Sequence, residues 1–216
     1  MNYTAIVLAG GASTRLGKDK GLLPLANRPL ITYVLDATKY LFKETLVVAS
    51  SQVQAKEYAK SVPSDVQVVI DSNNMHSPLV GALTGFECAH GEYSLVLSCD
   101  APFVSKEILS LLLELCTNKS AAIPRWPNGY TEPLQATYST RLAGEAARDA
   151  LNEGMLRMQA LVDNLRGIRF ISTLVLQQLD PELRTFFNVN TLVDLKKAET
   201  MLRRPTRNTS WSRNDP

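Results

Sequence analysis

Four short stretches, residues 3–9, 45–50, 66–70 and 93–98, are dense in Val, Ile and Leu and nearly continuous in apolar character. A strand that is apolar at successive positions has no face to offer water, so it belongs inside a parallel sheet covered on both sides. Between these runs lie residues 30–41, 52–61 and 79–90, each long enough for a helix. Strand and helix alternating in this way predict an α/β chain: a three-layer, doubly wound, mostly parallel sheet.

The second half of the chain is less regular. Pro102 follows the fourth run, and Ser105 can cap a helix whose apolar stripe includes Ile108, Leu109, Leu112, Leu113 and Cys116. A strand is expected over 120–124, a turn over 124–129 and an extended segment over 130–138. Residues 140–165 read as helix with a break near Gly154, followed by a strand over 168–172 and a helix over 191–202. Hydrophobic residues make up 45% of the 216, enough for a real core, so 1–202 reads as one domain. The segment 203–216 holds four arginines and one aspartate among Pro, Thr, Asn and Ser, and reads as a disordered basic tail.

That tail accounts for the net charge of +2, which demands neither nucleic acid nor an acidic membrane as partner. No stretch approaches membrane-spanning length, and the first apolar run has no basic region ahead of it and is too short for a signal peptide. Cys88, Cys99 and Cys116 form no CxxC pair and read as reduced thiols. The expected location is the cytoplasm.

Chemistry concentrates where the first strand ends, in Leu8-Ala9-Gly10-Gly11-Ala12-Ser13-Thr14-Arg15-Leu16-Gly17-Lys18-Asp19-Lys20. Paired glycines let backbone N–H groups turn toward a ligand, the geometry that holds phosphate oxygens, and Arg15 and Lys20 add two cations. A Walker A loop is excluded, because five residues separate Gly11 from Gly17 and Asp19 follows Lys18. The dinucleotide fingerprint G-x-G-x-x-G is absent as well. A charged glycine turn that binds nothing is the alternative.

Two carboxylates follow other strands on the same expected edge. Asp100, in Ser98-Cys99-Asp100-Ala101-Pro102, suits Mg²⁺, which takes one or two carboxylates and completes its shell with phosphates and water. An ordinary turn aspartate is the competing reading. Asp71 closes the third strand and either accepts hydrogen bonds from a base or ribose, or caps a loop. His76 and His90 have no orienting carboxylate beside them in sequence and read as loop residues.

In these residues and their order, the chain resembles the molybdenum cofactor guanylyltransferases, the MobA family. The resemblance is carried by Leu8-Ala9-Gly10-Gly11-x-Ser13-x-Arg15-Leu16-Gly17-x-Asp19-Lys20-Gly21-Leu22-Leu23 and Arg28-Pro29-Leu30. Ser77-Pro78-Leu79-Val80-Gly81, Cys99-Asp100-Ala101-Pro102 and Asn188-Val189-Asn190-Thr191 follow in the family's order. It implies a Rossmann-like nucleotidyltransferase fold. GTP contacts carry over onto Leu8, Ala9, Gly10, Lys20, Asp71 and Asp100, with Asp100 as the Mg²⁺ ligand. Asn188 and Asn190 carry over to the acceptor, although a turn capped by Asn190 or Thr191 explains them equally. Three departures stand out: Ala49-Ser50-Ser51 where the family often closes its second strand with asparagine, Ser77 for a glycine, and Ala82. Related cytidylyltransferases read Leu-Ala-Ala-Gly where this chain has Leu8-Ala9-Gly10-Gly11, and the glycine pair favours a purine and hence GTP.

The implied reaction joins GMP from GTP to the terminal phosphate of molybdopterin, with Mg²⁺ as cofactor and Arg15, Lys20 and Asp100 as the catalytic set. The implied partners are GTP, molybdopterin and the proteins that deliver the finished cofactor. Transfer from CTP or another nucleotide to a different phosphorylated acceptor is the nearest competitor. A nucleotide-binding module without chemistry is a more distant one, and an Asp-x-Asp glycosyltransferase lacks its motif here.

Overall fold

In the computed structural model, which describes residues 2–9, 19–71 and 77–203, the apolar runs become the centre of one sheet. Its strands are β1 (Tyr3–Leu8), β2 (Glu44–Ala49), β3 (Gln67–Ile70), β4 (Tyr93–Ser98), β5 (Ala121–Arg125), β6 (Gln135–Ser139) and β7 (Ile168–Ser172). They lie in the order β3-β2-β1-β4-β6-β5-β7. Only β6 runs against its neighbours β4 and β5, and every other pairing is parallel. Ala5, Ile6 and Val7 of β1 are fully buried, as a run apolar on both faces requires.

Side-chain alternation sorts these strands into two cores. Ile6, Leu8, Leu46, Val48 and Val96 face one side, where α3 (Pro78–Cys88), α5 (Thr140–Asn152) and α6 (Met158–Asn164) cover them with Leu79, Phe86, Ala147 and Leu161. Val7, Val47, Leu95 and Leu97 face the other, under α1 (Leu30–Thr38), α2 (Gln52–Ser61) and α4 (Lys106–Cys116), which contribute Ile31, Val34, Tyr58 and Leu109. Helix, sheet and helix make the three layers that the sequence rhythm predicts.

Ser105 caps α4 by accepting from Ile108 N, and Gly154, at φ +75°, ends the long helical pattern in a conformation few other residues adopt. A short α7 (Thr173–Leu176) leads on toward α8 (Leu192–Arg203). The extended segment expected over 130–138 is strand only from Gln135, preceded by one bridge between Arg125 and Thr131. Pro133 has no N–H to give a ladder, so the segment before it forms a wall instead. Of the expected tail, 203–216, Arg203 is helical and closes α8, and the rest lies outside the described residues.

Candidate active site

The chain lays β2 and β3 on one side of β1, then returns to place β4 on the other. The crevice past the carboxyl ends of β1 and β4 is therefore the switch point where open α/β sheets bind ligands. Backbone pairing continues beyond the strands: Cys99 N donates to Leu8 O at 3.1 Å, Ala9 N to Val48 O at 2.9 Å, and Asp71 N to Ala49 O at 2.8 Å. Leu8, Ala9, Asp71 and Asp100 consequently share one edge.

At the switch point, the Lys20 ammonium lies 3.3 Å from Asp100 Oδ2 and donates to Asn190 Oδ1 at 2.6 Å. Asp100 is only 7% exposed, and its other oxygen accepts from the Ser98 hydroxyl. Asn190 reaches this centre because the loop before α8 is stitched to it. Val189 N donates to Asp100 O at 2.9 Å, while the Val189 side chain is buried among Leu23, Leu25 and Leu30. Thr191, rather than Asn190, caps α8: its hydroxyl accepts from Asp194 N, and the Asp194 carboxylate accepts from Asn190 N and Thr191 N. The Asn190 side chain is left to the lysine. Asn188 sits farther along the edge, in a long 3.5 Å contact with the amide of buried Gln135.

Lys20 is held from behind by residues to which sequence reasoning gave no role. The Asp19 carboxylate accepts from Gly21 N at 3.1 Å, from the Gln54 amide and from the Tyr58 hydroxyl. The same Gln54 amide donates to Ala9 O at 3.0 Å, so one side chain ties together both ends of the segment 10–18. Burial, then the neighbouring Cys99 and Asp19, pushes the Tyr58 pKa far up, so its hydroxyl remains a donor. Gly21 is needed here because a Cβ would stand 2.3 Å from that hydroxyl. Asp19 was visible within the glycine-rich motif, but its partners on α2 lie 35 and 39 positions away. Ser50, at the end of β2, donates to Gln54 Oε1, and Ser51 caps α2. Ser77 likewise caps α3.

Asp71 and Asn188 mark the two wings of the edge. Asp71 is 9% exposed and accepts from Thr84 at 3.4 Å. It follows β3, three strand spacings from β4, or about 14 Å from the Asp100 side of the sheet. On the other wing, a cavity of about 330 Å³ opens beside Asn188, lined among others by Glu132, Leu134, Gln135, Arg157 and Gln159. The Glu132 carboxyl accepts from Trp126 Nε1 at 2.7 Å, and burial raises its pKa against the lowering effect of that bond.

Gly10, Gly11 and Arg15 lie outside the described residues, as does His76. His90 is paired after all, with Glu44 at 2.5 Å, but Glu44 begins β2 at the amino edge, away from the site. Its partner could not be seen in sequence because it lies 46 positions away.

With this geometry in view, a family model described as MobA-like NTP transferase domain matches residues 5–168. The chain belongs to the MobA-like NTP transferase family. A probable molybdenum cofactor guanylyltransferase of Methanosarcina mazei is 32% identical over 198 residues, covering 89% of this chain and 88% of that one. A molybdenum cofactor guanylyltransferase of Desulfosudis oleivorans is 30% identical, covering 93% and 96%. Among solved structures, molybdopterin-guanine dinucleotide biosynthesis protein A of Archaeoglobus fulgidus superposes with a TM-score of 0.79 at 27% identity, covering 92% of this chain and 98% of that one. A cytidylyltransferase of Thermus thermophilus shares the fold at 19% identity, with a TM-score of 0.69 and coverage of 94% and 100%.

MobA-like transferases are nucleotidyltransferases, a class that works with a divalent metal. Among the described residues, no group of three or more His, Cys, Asp or Glu could cage an ion. At the switch point this MobA-like chain offers one buried carboxylate, Asp100, beside the Ser98 hydroxyl and 3.3 Å from the Lys20 ammonium, and its oxygens suit a hard cation shared with phosphate oxygens once that ammonium turns away. No helix among the described residues is long and apolar enough to cross a membrane.

Proposed function

We propose that the chain transfers GMP from GTP to the terminal phosphate of molybdopterin, forming molybdopterin guanine dinucleotide and releasing pyrophosphate. The reading is carried by the meeting of Lys20, Asp100 and Asn190 at the switch point, flanked by Asp71 on one wing and the Asn188 cavity on the other. The names of its relatives support GTP and molybdopterin as the two substrates.

GTP lies along the β3–β2–β1 wing, its nucleoside toward Asp71 and its phosphates toward Leu8, Ala9, Gly10 and Gly11. Molybdopterin enters from the opposite wing, with Asn188 and Asn190 orienting its phosphate. An oxygen of that phosphate attacks the α-phosphorus in line, the α–β bridging P–O bond breaks, and pyrophosphate leaves. A phosphate monoester is already ionised near neutral pH, so no general base is needed. What the chain supplies is alignment and compensation of charge. Lys20 turns from Asp100 and Asn190 to the phosphate oxygens, and Arg15 adds a second cation. Asp100, with Ser98 behind it, would hold Mg²⁺, which when bound neutralises charge on phosphate oxygens. Two buried free thiols fit a reducing cytoplasm, from which the product passes to cofactor-delivery proteins.

Incubating the protein with Mg²⁺, molybdopterin and each nucleoside triphosphate in turn, and measuring pyrophosphate, tests the reading. Release with GTP and one equivalent of dinucleotide product is expected. Release with CTP alone overturns the nucleotide assignment, and GTP binding without release from any acceptor reduces the chain to a binding module.

A further inference from the structure

The cavity beside Asn188 contains a carboxyl group that the fold does not need. Glu132 is tied at one oxygen by Trp126 Nε1, and its backbone N–H donates to Pro124 O at 3.0 Å. A neutral glutamine would also accept from the indole, through its amide oxygen. The second oxygen belongs to a residue that lines the cavity, and no salt bridge joins Glu132 to a cation among the described residues. A half-buried carboxylate without a counter-charge is costly, and burial does act on this one, raising its pKa. A group kept at such a cost, with one oxygen fixed and its residue in the wall of a ligand-sized space, is suited to receive N–H donors.

The rest of the cavity fits a flat, polar-edged ring. Pro78, Leu134 and Met158 supply apolar wall, and Gln135 and Gln159 supply amides. Gln159 is itself oriented, accepting from the Thr131 hydroxyl at 3.0 Å and donating to Asp163 at 2.9 Å. The ligand edge that best matches a carboxylate is a ring N–H beside an exocyclic amino group, which places two donors side by side. Guanine and the pterin ring of molybdopterin both carry this amino-oxo-pyrimidine edge. Most of the lining separates them: residues 130–135, 156–159 and Asn188 lie across Asp100 from the wing that ends at Asp71, and Pro78 alone comes from α3.

We propose that Glu132 reads the amino-oxo-pyrimidine edge of the acceptor's pterin ring and so sets acceptor specificity. This rests on the transfer reading above. The carboxylate takes the two N–H groups while Trp126 fixes its plane, and the ring lies toward Leu134 with its phosphate chain leading past Asn188 to Lys20.

The test compares wild type with Glu132→Gln, which keeps an acceptor for Trp126 but replaces the anionic acceptor by an N–H₂ facing the ligand's own donors. Free pterin, followed by its fluorescence, and Mg²⁺–GTP are titrated separately, and thermal unfolding verifies that the variant is folded. Pterin affinity should fall by about tenfold or more, as for a lost charge-assisted hydrogen bond, while GTP affinity stays within about twofold. With molybdopterin as substrate, the acceptor KM should rise with little change in kcat, and Glu132→Asp should recover part of the loss. Equal pterin binding by wild type and Glu132→Gln overturns the assignment, as does wild type that binds no pterin. A loss confined to GTP means that the carboxylate reads guanine instead. If wild type releases no pyrophosphate with molybdopterin, the transfer reading fails and this assignment with it. If it does so and Glu132→Gln matches it in KM, the assignment alone fails.

Discussion

Replacing Tyr58 with phenylalanine isolates the support behind Lys20. The ring is fully buried, and phenylalanine preserves its packing while removing one donor from the Asp19 carboxylate. Hydrogen bonds to charged groups contribute about 1.5–3 kcal/mol, and Asp19 keeps two donors, Gly21 N and the Gln54 amide, so we expect a loss of about 2 kcal/mol. For a chain of this size that lowers Tm by about 4–8 °C. The structure also predicts a coupling. Gly21→Ala alone drives a Cβ to 2.3 Å from the Tyr58 hydroxyl, whereas with phenylalanine the nearest atoms are Cys99 Sγ and the ring carbon, both at 3.1 Å. Overpacking of this kind costs about 1–3 kcal/mol, so Gly21→Ala should cost at least about 1 kcal/mol less in the Tyr58→Phe background. Urea denaturation of the four proteins, with m unchanged, measures both quantities. Additive effects, or a Tyr58→Phe loss below about 0.5 kcal/mol, would refute the three-donor arrangement around Asp19.

Lys20→Ala should lower kcat on the order of 10²-fold, the loss of one electrostatic donor, and a folded variant within about threefold of wild type in steady-state turnover removes Lys20 from the chemistry. Glu132 has a folded pKa raised above its ordinary 4.5, so the folded state holds that proton longer than the unfolded chain does. Its contribution to stability is greatest below the ordinary value and declines as pH rises through the folded value. The stability advantage of Glu132→Gln over wild type should therefore grow from pH 4 to neutral, and a pH-independent difference in denaturation midpoints contradicts the burial of that carboxyl.

The central strands were legible because burial on both faces leaves a continuous apolar signature, and the first four elements of the sheet follow it closely. The break near Gly154 was legible for a similar reason, since glycine is the residue best suited to its left-handed backbone. The reversal of β6 was not. Antiparallel and parallel strands buried between helices carry the same residues, and nothing in 121–139 states which neighbour each strand will take. A tight turn at Ala26 and Asn27, with φ of 47° and 67°, was also missed, because Ala26 gives no warning of a left-handed backbone. In the site, Lys20 and Asp100 could be brought together on paper because strand ends in a parallel sheet share an edge. Gln54, Tyr58 and Glu132 could not. They come from a helix and a loop, and their meaning depends on contacts that exist only once the chain has folded.

Mg²⁺-dependent GTP binding by wild type and Asp100→Asn, measured calorimetrically with and without the metal, tests most directly whether Asp100 anchors the reacting phosphates. Metal should tighten GTP binding to wild type and leave the affinity of a folded Asp100→Asn unchanged. An equal metal-dependent gain in both proteins would contradict the site at the β1–β4 switch point.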